Sequence, residues 1–180
     1  LSGSRNQEVS RILPVMASVA ASFPDYQFVV AAMDHLPAEL YRRCTKGYPV
    51  RIINGRTYDL LAVAEAALVT SGTATLEAAL FDVPQAVCYS TSRLTYTLAK
   101  WVIKVRFISL VNLVMDREVV RELIQKDLNL TGLHRELSDV IATGYRHTIL
   151  KRDYRELREI LGGSGASERV AADIVASLDL

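Results

Sequence analysis

The run Val69-Thr70-Ser71-Gly72-Thr73 constrains the fold of this chain more than any other feature. The apolar residues 66–69 predict a buried strand, and residues 74–80 are good helix formers. A small hydroxyl-rich turn joins the two directly, as in α/β folds. Such a turn directs free backbone N–H groups and the positive end of the helix toward the carboxyl edge of the sheet. This edge is therefore predicted to bind phosphate.

Glu77 adds a second chemical function to the same place. It lies one helical turn beyond Thr73, so its carboxylate can face the cleft and accept hydrogen bonds from the hydroxyls of a sugar. The turn and the carboxylate together predict a nucleotide-sugar site. A purely structural alternative stays open, in which Ser71 or Thr73 caps the helix and Glu77 is solvated. The turn lacks the Gly-Lys-Ser/Thr ending of a P-loop, and the chain has no Gly-x-Gly-x-x-Gly fingerprint.

Strand and helix patterns alternate over roughly the first two thirds of the chain. Strands are predicted at 26–32, 50–53, 66–69, 85–89 and 107–110. Helices are predicted from Ser4 (paired with Gln7 in a capping box, and kinked or split at Pro14) and at 37–44, 57–65, 74–80, 94–105, 118–125, 131–143, 148–161 and 167–178. This order predicts a Rossmann-like, mostly parallel sheet with helices on both faces, followed by C-terminal helices.

Composition limits the domain count and the partners. Half of the 180 residues are hydrophobic, enough for one domain, 1–180, with a full core. A formal net charge of +1 gives no overall field favouring nucleic acid. Cys44 and Cys88 lack metal or redox spacing, which fits reduced thiols in the cytoplasm, and neither a metal nor a cofactor is expected. The chain opens without Met and Leu1 resembles the end of a strand, so we expect a fragment.

The most apolar stretch, 94–115, is interrupted by Lys100, Lys104 and Arg106, which argues against a membrane span. Residues 94–105 nevertheless form a basic amphipathic pattern. One interpretation is a helix on an anionic membrane surface, and the other is a helix packed on the sheet with solvated lysines.

A second turn, Ser2-Gly3-Ser4-Arg5, repeats the strand–turn–helix pattern. Gly3 allows close approach of the backbone, and the planar Arg5 guanidinium suits a diphosphate, although a surface arginine is the default interpretation. Because parallel strands end at one edge, both turns are expected to converge there. Asn112 and Gln125 are polar residues in apolar surroundings whose partners are either backbone or ligand. The three histidines and the carboxylates form no acid–base arrangement, so the pattern indicates donor binding.

Taken jointly, these motifs resemble lipid-A-disaccharide synthases, inverting glycosyltransferases of the GT-B fold, over nearly the whole chain. The resemblance rests on four segments in order: 1–5 with Glu8, 71–77, 109–113 and 117–125. It implies the C-terminal, UDP-binding half of such an enzyme. Ser2 and Val111 stand where the family has Pro, and Asp116 where a Gly is common. The last two differences put the shape of the Asn112 loop in doubt.

The resemblance implies transfer of 2,3-diacylglucosamine from its UDP conjugate to 2,3-diacylglucosamine 1-phosphate, which forms the lipid A disaccharide precursor and releases UDP. It implies a donor site without a metal, in which Glu77 accepts from the ribose hydroxyls. The other implied donor-binding residues are Ser4, Arg5, Ser71, Gly72, Thr73, Asn112 and Gln125. The base that activates the acceptor is expected in the N-terminal half, so this fragment should bind UDP without turnover.

The same resemblance implies a cytoplasmic protein of a Gram-negative cell, peripheral on the inner face of the inner membrane, with homodimerisation through this half. Two alternatives remain open. The chain could belong to another GT-B enzyme using UDP-N-acetylglucosamine, a transferase or an epimerase. It could also be a non-catalytic module for membrane or subunit contacts.

Overall fold

The computed structural model describes residues 1–91, 106–162 and 165–178. Parallel strands form the centre of the described fold, in two groups. In the first group β1 pairs with β2, and in the second the order is β3-β4-β5. The strands are β1 (Phe28–Ala32), β2 (Val50–Asn54), β3 (Ala67–Thr70), β4 (Gln85–Tyr89) and β5 (Arg121–Ile124).

Helices connect these strands and continue beyond them. Two short 3₁₀ segments occur at Val19–Ser22 and Gln125–Asp127. The α-helices are α1 (Asn6–Ser18), α2 (Ala38–Thr45), α3 (Thr57–Val63), α4 (Ala74–Leu80), α5 (Leu110–Met115), α6 (Leu130–Val140), α7 (His147–Leu161) and α8 (Ala166–Leu178).

Helices cover both faces of the strands. Val69 of β3 packs into a cluster with Leu61 of α3 and Ala78 of α4. Its neighbour Leu68 packs against the largest cluster, which includes residues of α1, α6 and α7. Since successive side chains of a strand point to opposite faces, β3 is buried on both sides. The predicted Rossmann-like α/β class is confirmed.

Leu1 continues the ladder beside β3. Its amino group donates to the Leu68 carbonyl at 2.8 Å, and its carbonyl accepts from the Thr70 amide at 2.8 Å. Leu1 therefore pairs with the edge of β3 that β4 leaves free. A cavity of about 910 Å³ separates this edge from β1, and residues of both strands line it.

Most predicted elements are confirmed to within two or three residues, but the segment after residue 106 differs. The predicted strand at 107–110 is wrong, because Ser109 caps α5 by accepting from the Asn112 amide at 3.2 Å. The predicted helix at 118–125 is also wrong, because Arg121–Ile124 pairs with β4 as β5. Here burial of Leu123 in the sheet overrides the helix propensity of the local sequence.

Two further details concern helices. Helix α1 includes Pro14 and is not split there. The predicted amphipathic helix 94–105 lies outside the described residues. Within the described part of the chain, no helix combines the length and the apolar character that a membrane crossing requires.

Candidate functional site

The first turn, residues 2–5, is built around Glu8. Gly3 has φ +96°, a conformation that favours glycine, and a Cβ atom at this position would lie 2.7 Å from Glu8 Oε2. The Ser4 amide donates to the same carboxylate oxygen at 3.3 Å, and Arg5 Nη1 lies 3.2 Å from Glu8 Oε1. Glu8 therefore holds the turn that leads into α1. The predicted Ser4–Gln7 capping box is wrong, because Arg5 is the N-cap residue and no side-chain cap of α1 is present among the residues that the structure describes.

The second turn, residues 71–73, is fixed to the neighbouring strand and to a loop. The Ser71 amide donates to the Cys88 carbonyl at 3.2 Å, and the Ser71 hydroxyl donates to the Ile108 carbonyl at 2.6 Å. The Gly72 carbonyl accepts from the Thr75 amide and hydroxyl at 3.1 and 2.8 Å. No side-chain cap of α4 occurs in the described part of the chain. Among the described residues, the amides of Gly72 and Thr73 have no hydrogen-bond partner. Both residues are exposed, so these amides can bind an anion.

Both turns line one cavity of about 670 Å³, as predicted from the shared sheet edge. Glu77 lines the same cavity, so the two turns and this carboxylate lie together. Ser4, Arg5, Ser71, Gly72, Thr73 and Glu77 are the predicted residues in it.

The cavity combines donor and acceptor groups. Arg5 is 82% exposed, so its pairing with Glu8 is a weak surface contact that an anion can replace. Glu77 is half-buried, and no hydrogen bond or ion pair of its carboxylate occurs within the described residues. The site can therefore bind an anionic group beside the turns and a hydroxylated group beside Glu77.

Two hydroxyl groups at the strand ends are unusual. Ser2 and Thr70 are 2% and 4% exposed, and both residues line the cavity. In the described parts of the chain neither hydroxyl oxygen has a hydrogen-bond partner. Such groups carry a desolvation cost in the ligand-free protein.

Comparison with known proteins identifies the family. The family model described as Lipid-A-disaccharide synthetase matches residues 1–174. A lipid-A-disaccharide synthase of Anaeromyxobacter dehalogenans strain 2CP-C is 36% identical over 180 residues, covering 96% of this chain and 47% of the relative. That of Syntrophus aciditrophicus strain SB is 38% identical over 178 residues, covering 95% and 46%, respectively. The chain belongs to the lipid-A-disaccharide synthase family.

This chain spans about half the length of the curated family members that it matches. The same holds for the Myxococcus xanthus lipid-A-disaccharide synthase, 34% identical over 97% of this chain and 47% of that protein. The predicted resemblance to lipid-A-disaccharide synthases is thus confirmed over nearly all of the chain.

Asn112, which the family resemblance assigned to the donor pocket, lies apart from the cavity. It is fully buried, and its Oδ1 accepts from the Val119 and Val120 amides at 2.8 and 2.9 Å. Its Nδ2 donates to the Val120 carbonyl at 2.8 Å and to Glu122 Oε1 at 3.0 Å. All four hydrogen-bonding positions of the amide are used within the protein. The structure therefore shows protein partners for Asn112, and its direct contact with the donor stays a prediction.

Gln125 also lies outside the cavity but on the carboxyl side of the sheet. It follows β5 with φ +52°, and its side-chain amide lies 3.3 Å from the Thr91 carbonyl oxygen, just beyond the end of β4. The structure therefore brings six of the eight predicted donor residues together and leaves Asn112 and Gln125 elsewhere.

The sequence reasoning missed one wall of the cavity. Asp34 follows β1, and residues 55–59 follow β2. His35 Nε2 lies 2.8 Å from the Ser4 carbonyl oxygen and so ties the loop after β1 to the first turn. The sequence pattern could have predicted these residues, because they directly follow β1 and β2. The carboxyl ends of these strands lie at the same sheet edge as the two turns.

Proposed function

We propose that this chain is the donor-binding half of a lipid A disaccharide-forming glycosyltransferase. In this proposal it binds UDP-2,3-diacylglucosamine, and the complete enzyme transfers the sugar to 2,3-diacylglucosamine 1-phosphate with inversion and releases UDP. The observation that carries the proposal is the convergence of two glycine-containing turns and Glu77 on one cavity of about 670 Å³. Membership in the lipid-A-disaccharide synthase family supports the substrate class.

Each group of the donor has a proposed partner. The diphosphate lies against the amides of Gly72 and Thr73, with Ser4 and Ser71 beside it and the Arg5 guanidinium as counter-charge. Glu77 accepts from the ribose hydroxyls, and Gln125 remains a proposed contact on the β5 side. Fixed amides and a cation of this kind stabilise the charge that develops on departing UDP, without a metal in the proposed mechanism.

Asn112 enters the proposal as a positioning residue. It holds the Glu122 carboxylate, which accepts from the Ile108 and Ser109 amides at 3.0 and 2.9 Å. The Ile108 carbonyl in turn accepts from the Ser71 hydroxyl. Loss of the Asn112 side chain should therefore disturb the position of the second turn through the loop that contains Ile108 and Ser109.

In this proposal residues 1–180 form a single domain. The acceptor-binding domain and the catalytic base belong to the N-terminal half of the complete enzyme. The chain covers 47% of its relative from Anaeromyxobacter dehalogenans, which leaves room for such a domain. The proposed acceptor is a lipid, so the complete enzyme is placed at the cytoplasmic face of the inner membrane, with self-association through this half as a further proposal.

Thermal unfolding with UDP in the presence of EDTA tests donor binding. UDP at about 100 times its Kd stabilises the protein by roughly 2.7 kcal/mol, which raises Tm by roughly 5–10 °C for a domain of this size. Glu77→Gln and Arg5→Ala should reduce this rise. Their matched controls are Glu159→Gln and Arg155→Ala, at exposed positions of α7, which should retain it.

An unchanged Tm with saturating UDP would contradict the proposal. Activity of the complete enzyme distinguishes the substrate class, because a lipid A enzyme requires acylated sugar nucleotides. Preference for UDP-N-acetylglucosamine would instead favour another GT-B activity.

A further inference from the structure

An exposed pair of stacked aromatic rings lies at the edge of the cavity. Tyr58 of α3 and Phe81, directly after α4, have ring centroids 5.6 Å apart and planes inclined by 10°. Tyr58 is 58% exposed and Phe81 is 40% exposed. Tyr58 lines the cavity together with Glu77 and the two turns. Large exposed rings at a polar cavity are typical of ligand contacts rather than of core packing.

The position of Phe81 relates this pair to the proposed donor site. The Phe81 amide donates to the Glu77 carbonyl at 3.1 Å, so these residues are one helical turn apart and share a face of α4. Thr73 lies one turn earlier. The N-cap residue Thr73, Glu77 and the C-cap residue Phe81 thus follow one another along the axis of α4 in steps of about 6 Å. The phosphate, ribose and base of a nucleotide follow one another in the same order along the ligand.

One face of the Tyr58 ring is covered. Phe81 stacks on it with nearly parallel ring planes. An aromatic side chain fixed in this way loses little conformational entropy when another ring stacks on it.

We infer that Tyr58, supported by Phe81, is the stacking platform for the pyrimidine base of the nucleotide. The inference rests on the proposed UDP site and adds a binding residue for the base to it. Stacking does not distinguish among bases with similar ring faces, so Tyr58 contributes affinity for a ring rather than recognition of uracil over cytosine.

The test compares ligands with and without a base. UDP and inorganic pyrophosphate are titrated by calorimetry into the unchanged protein and into Tyr58→Ala, Tyr58→Phe and Phe81→Leu. Tyr58→Ala should weaken UDP about 5- to 150-fold, the range measured for loss of one base–aromatic stack. Pyrophosphate affinity should stay unchanged. Tyr58→Phe should retain UDP affinity, and Phe81→Leu should lose part of it.

Tyr145→Ala is the matched control, since Tyr145 is 72% exposed and lies outside the cavity. Ring-current shifts of the base protons in bound UDP provide a second readout and should vanish in Tyr58→Ala. Equal UDP affinity in Tyr58→Ala and the unchanged protein would overturn the inference alone. A parallel loss for pyrophosphate would also overturn it, by showing that Tyr58 shapes the cavity in general. Failure of the unchanged protein to bind UDP would overturn the proposed function together with the inference.

Discussion

Replacing Asn112 with alanine removes a side chain that joins α5 to residues 119–122. The amide binds the Val119 and Val120 amides, the Val120 carbonyl and the Glu122 carboxylate, at distances from 2.8 to 3.0 Å. Alanine at this position leaves the backbone groups at 119 and 120 without these partners. Because Val119 and Val120 are buried, water replaces the lost bonds only in part.

The expected cost follows from these unsatisfied groups. Each buried polar group left without a partner costs about 1–3 kcal/mol, so Asn112→Ala should lower the free energy of unfolding by about 3–5 kcal/mol. For a domain of this size that loss lowers Tm by roughly 10 °C or more. Asn112→Asp should also destabilise at neutral pH, because its second carboxylate oxygen would face the Val120 carbonyl and Glu122.

Urea unfolding followed by circular dichroism measures this effect. Asn129→Ala is the matched control, since the Asn129 side chain accepts from the Gly132 amide at 2.9 Å but lies exposed as the N-cap of α6. Its expected cost is about 1 kcal/mol. Unchanged stability of Asn112→Ala combined with lost UDP affinity would refute the reasoning, because Asn112 would then act on the ligand directly.

Four other perturbations test the packing around the site and the core by thermal or urea unfolding. Gly3→Ala should lower Tm and weaken UDP binding, because the added Cβ strains the backbone and displaces Glu8; an unchanged Tm would refute the strain. Thr70→Val should raise Tm of the ligand-free protein, because it removes a buried hydroxyl that has no partner in the described structure; a lower Tm would show that the hydroxyl is satisfied. Glu136→Gln should cost about 3 kcal/mol, since this carboxylate, only 4% exposed, lies within 4 Å of three arginine side chains; a loss below about 1 kcal/mol would show a solvated pair. Burial raises the pKa of the Cys88 thiol to about 12. The unfolded chain releases this proton from about pH 8.5, so stability should fall by up to about 1.4 kcal/mol per pH unit between these values. Cys88→Ala should flatten that fall, and an identical slope would contradict the assignment.

The regular α/β part of the fold was predictable from sequence because local and tertiary preferences agree there. The residues of β4 and α4 occur within the predicted bounds, since an apolar run and a run of helix formers are each flanked by turn residues. Because the strands of this part were predicted correctly, the two turns could also be predicted to lie at one edge of the sheet.

The segment from 107 to 125 was not predictable because its local signals conflict with its tertiary contacts. Residues 118–125 have helix-forming side chains, yet β4 offers a free edge that Arg121–Ile124 completes. Ser109, placed in a strand by its apolar neighbours, caps α5 instead. Pairing and capping of this kind depend on residues distant in the sequence or on a single hydroxyl.

The site was predictable to the extent that its residues follow strands. The partner of Asn112 could not be predicted from the sequence. A polar residue in apolar surroundings has the same sequence pattern whether its partner is backbone or ligand. The partners of Asn112 in the structure are Val119, Val120 and Glu122, and the sequence pattern does not identify them. The Tyr58–Phe81 pair was missed for a similar reason, since two aromatic residues separated along the chain give no sign of their contact.

The convergence of the two turns follows from the pairing of Leu1 with β3. The Leu1 carbonyl accepts from the Thr70 amide, so the residues that follow each partner leave the sheet side by side in the same direction. Ser2 leads to Gly3 on one side, and Thr70 leads to Ser71 and Gly72 on the other. Both turns then enter helices and line one cavity. A change that weakens the Leu1 pairing should therefore reduce anion binding even though no residue of either turn is altered.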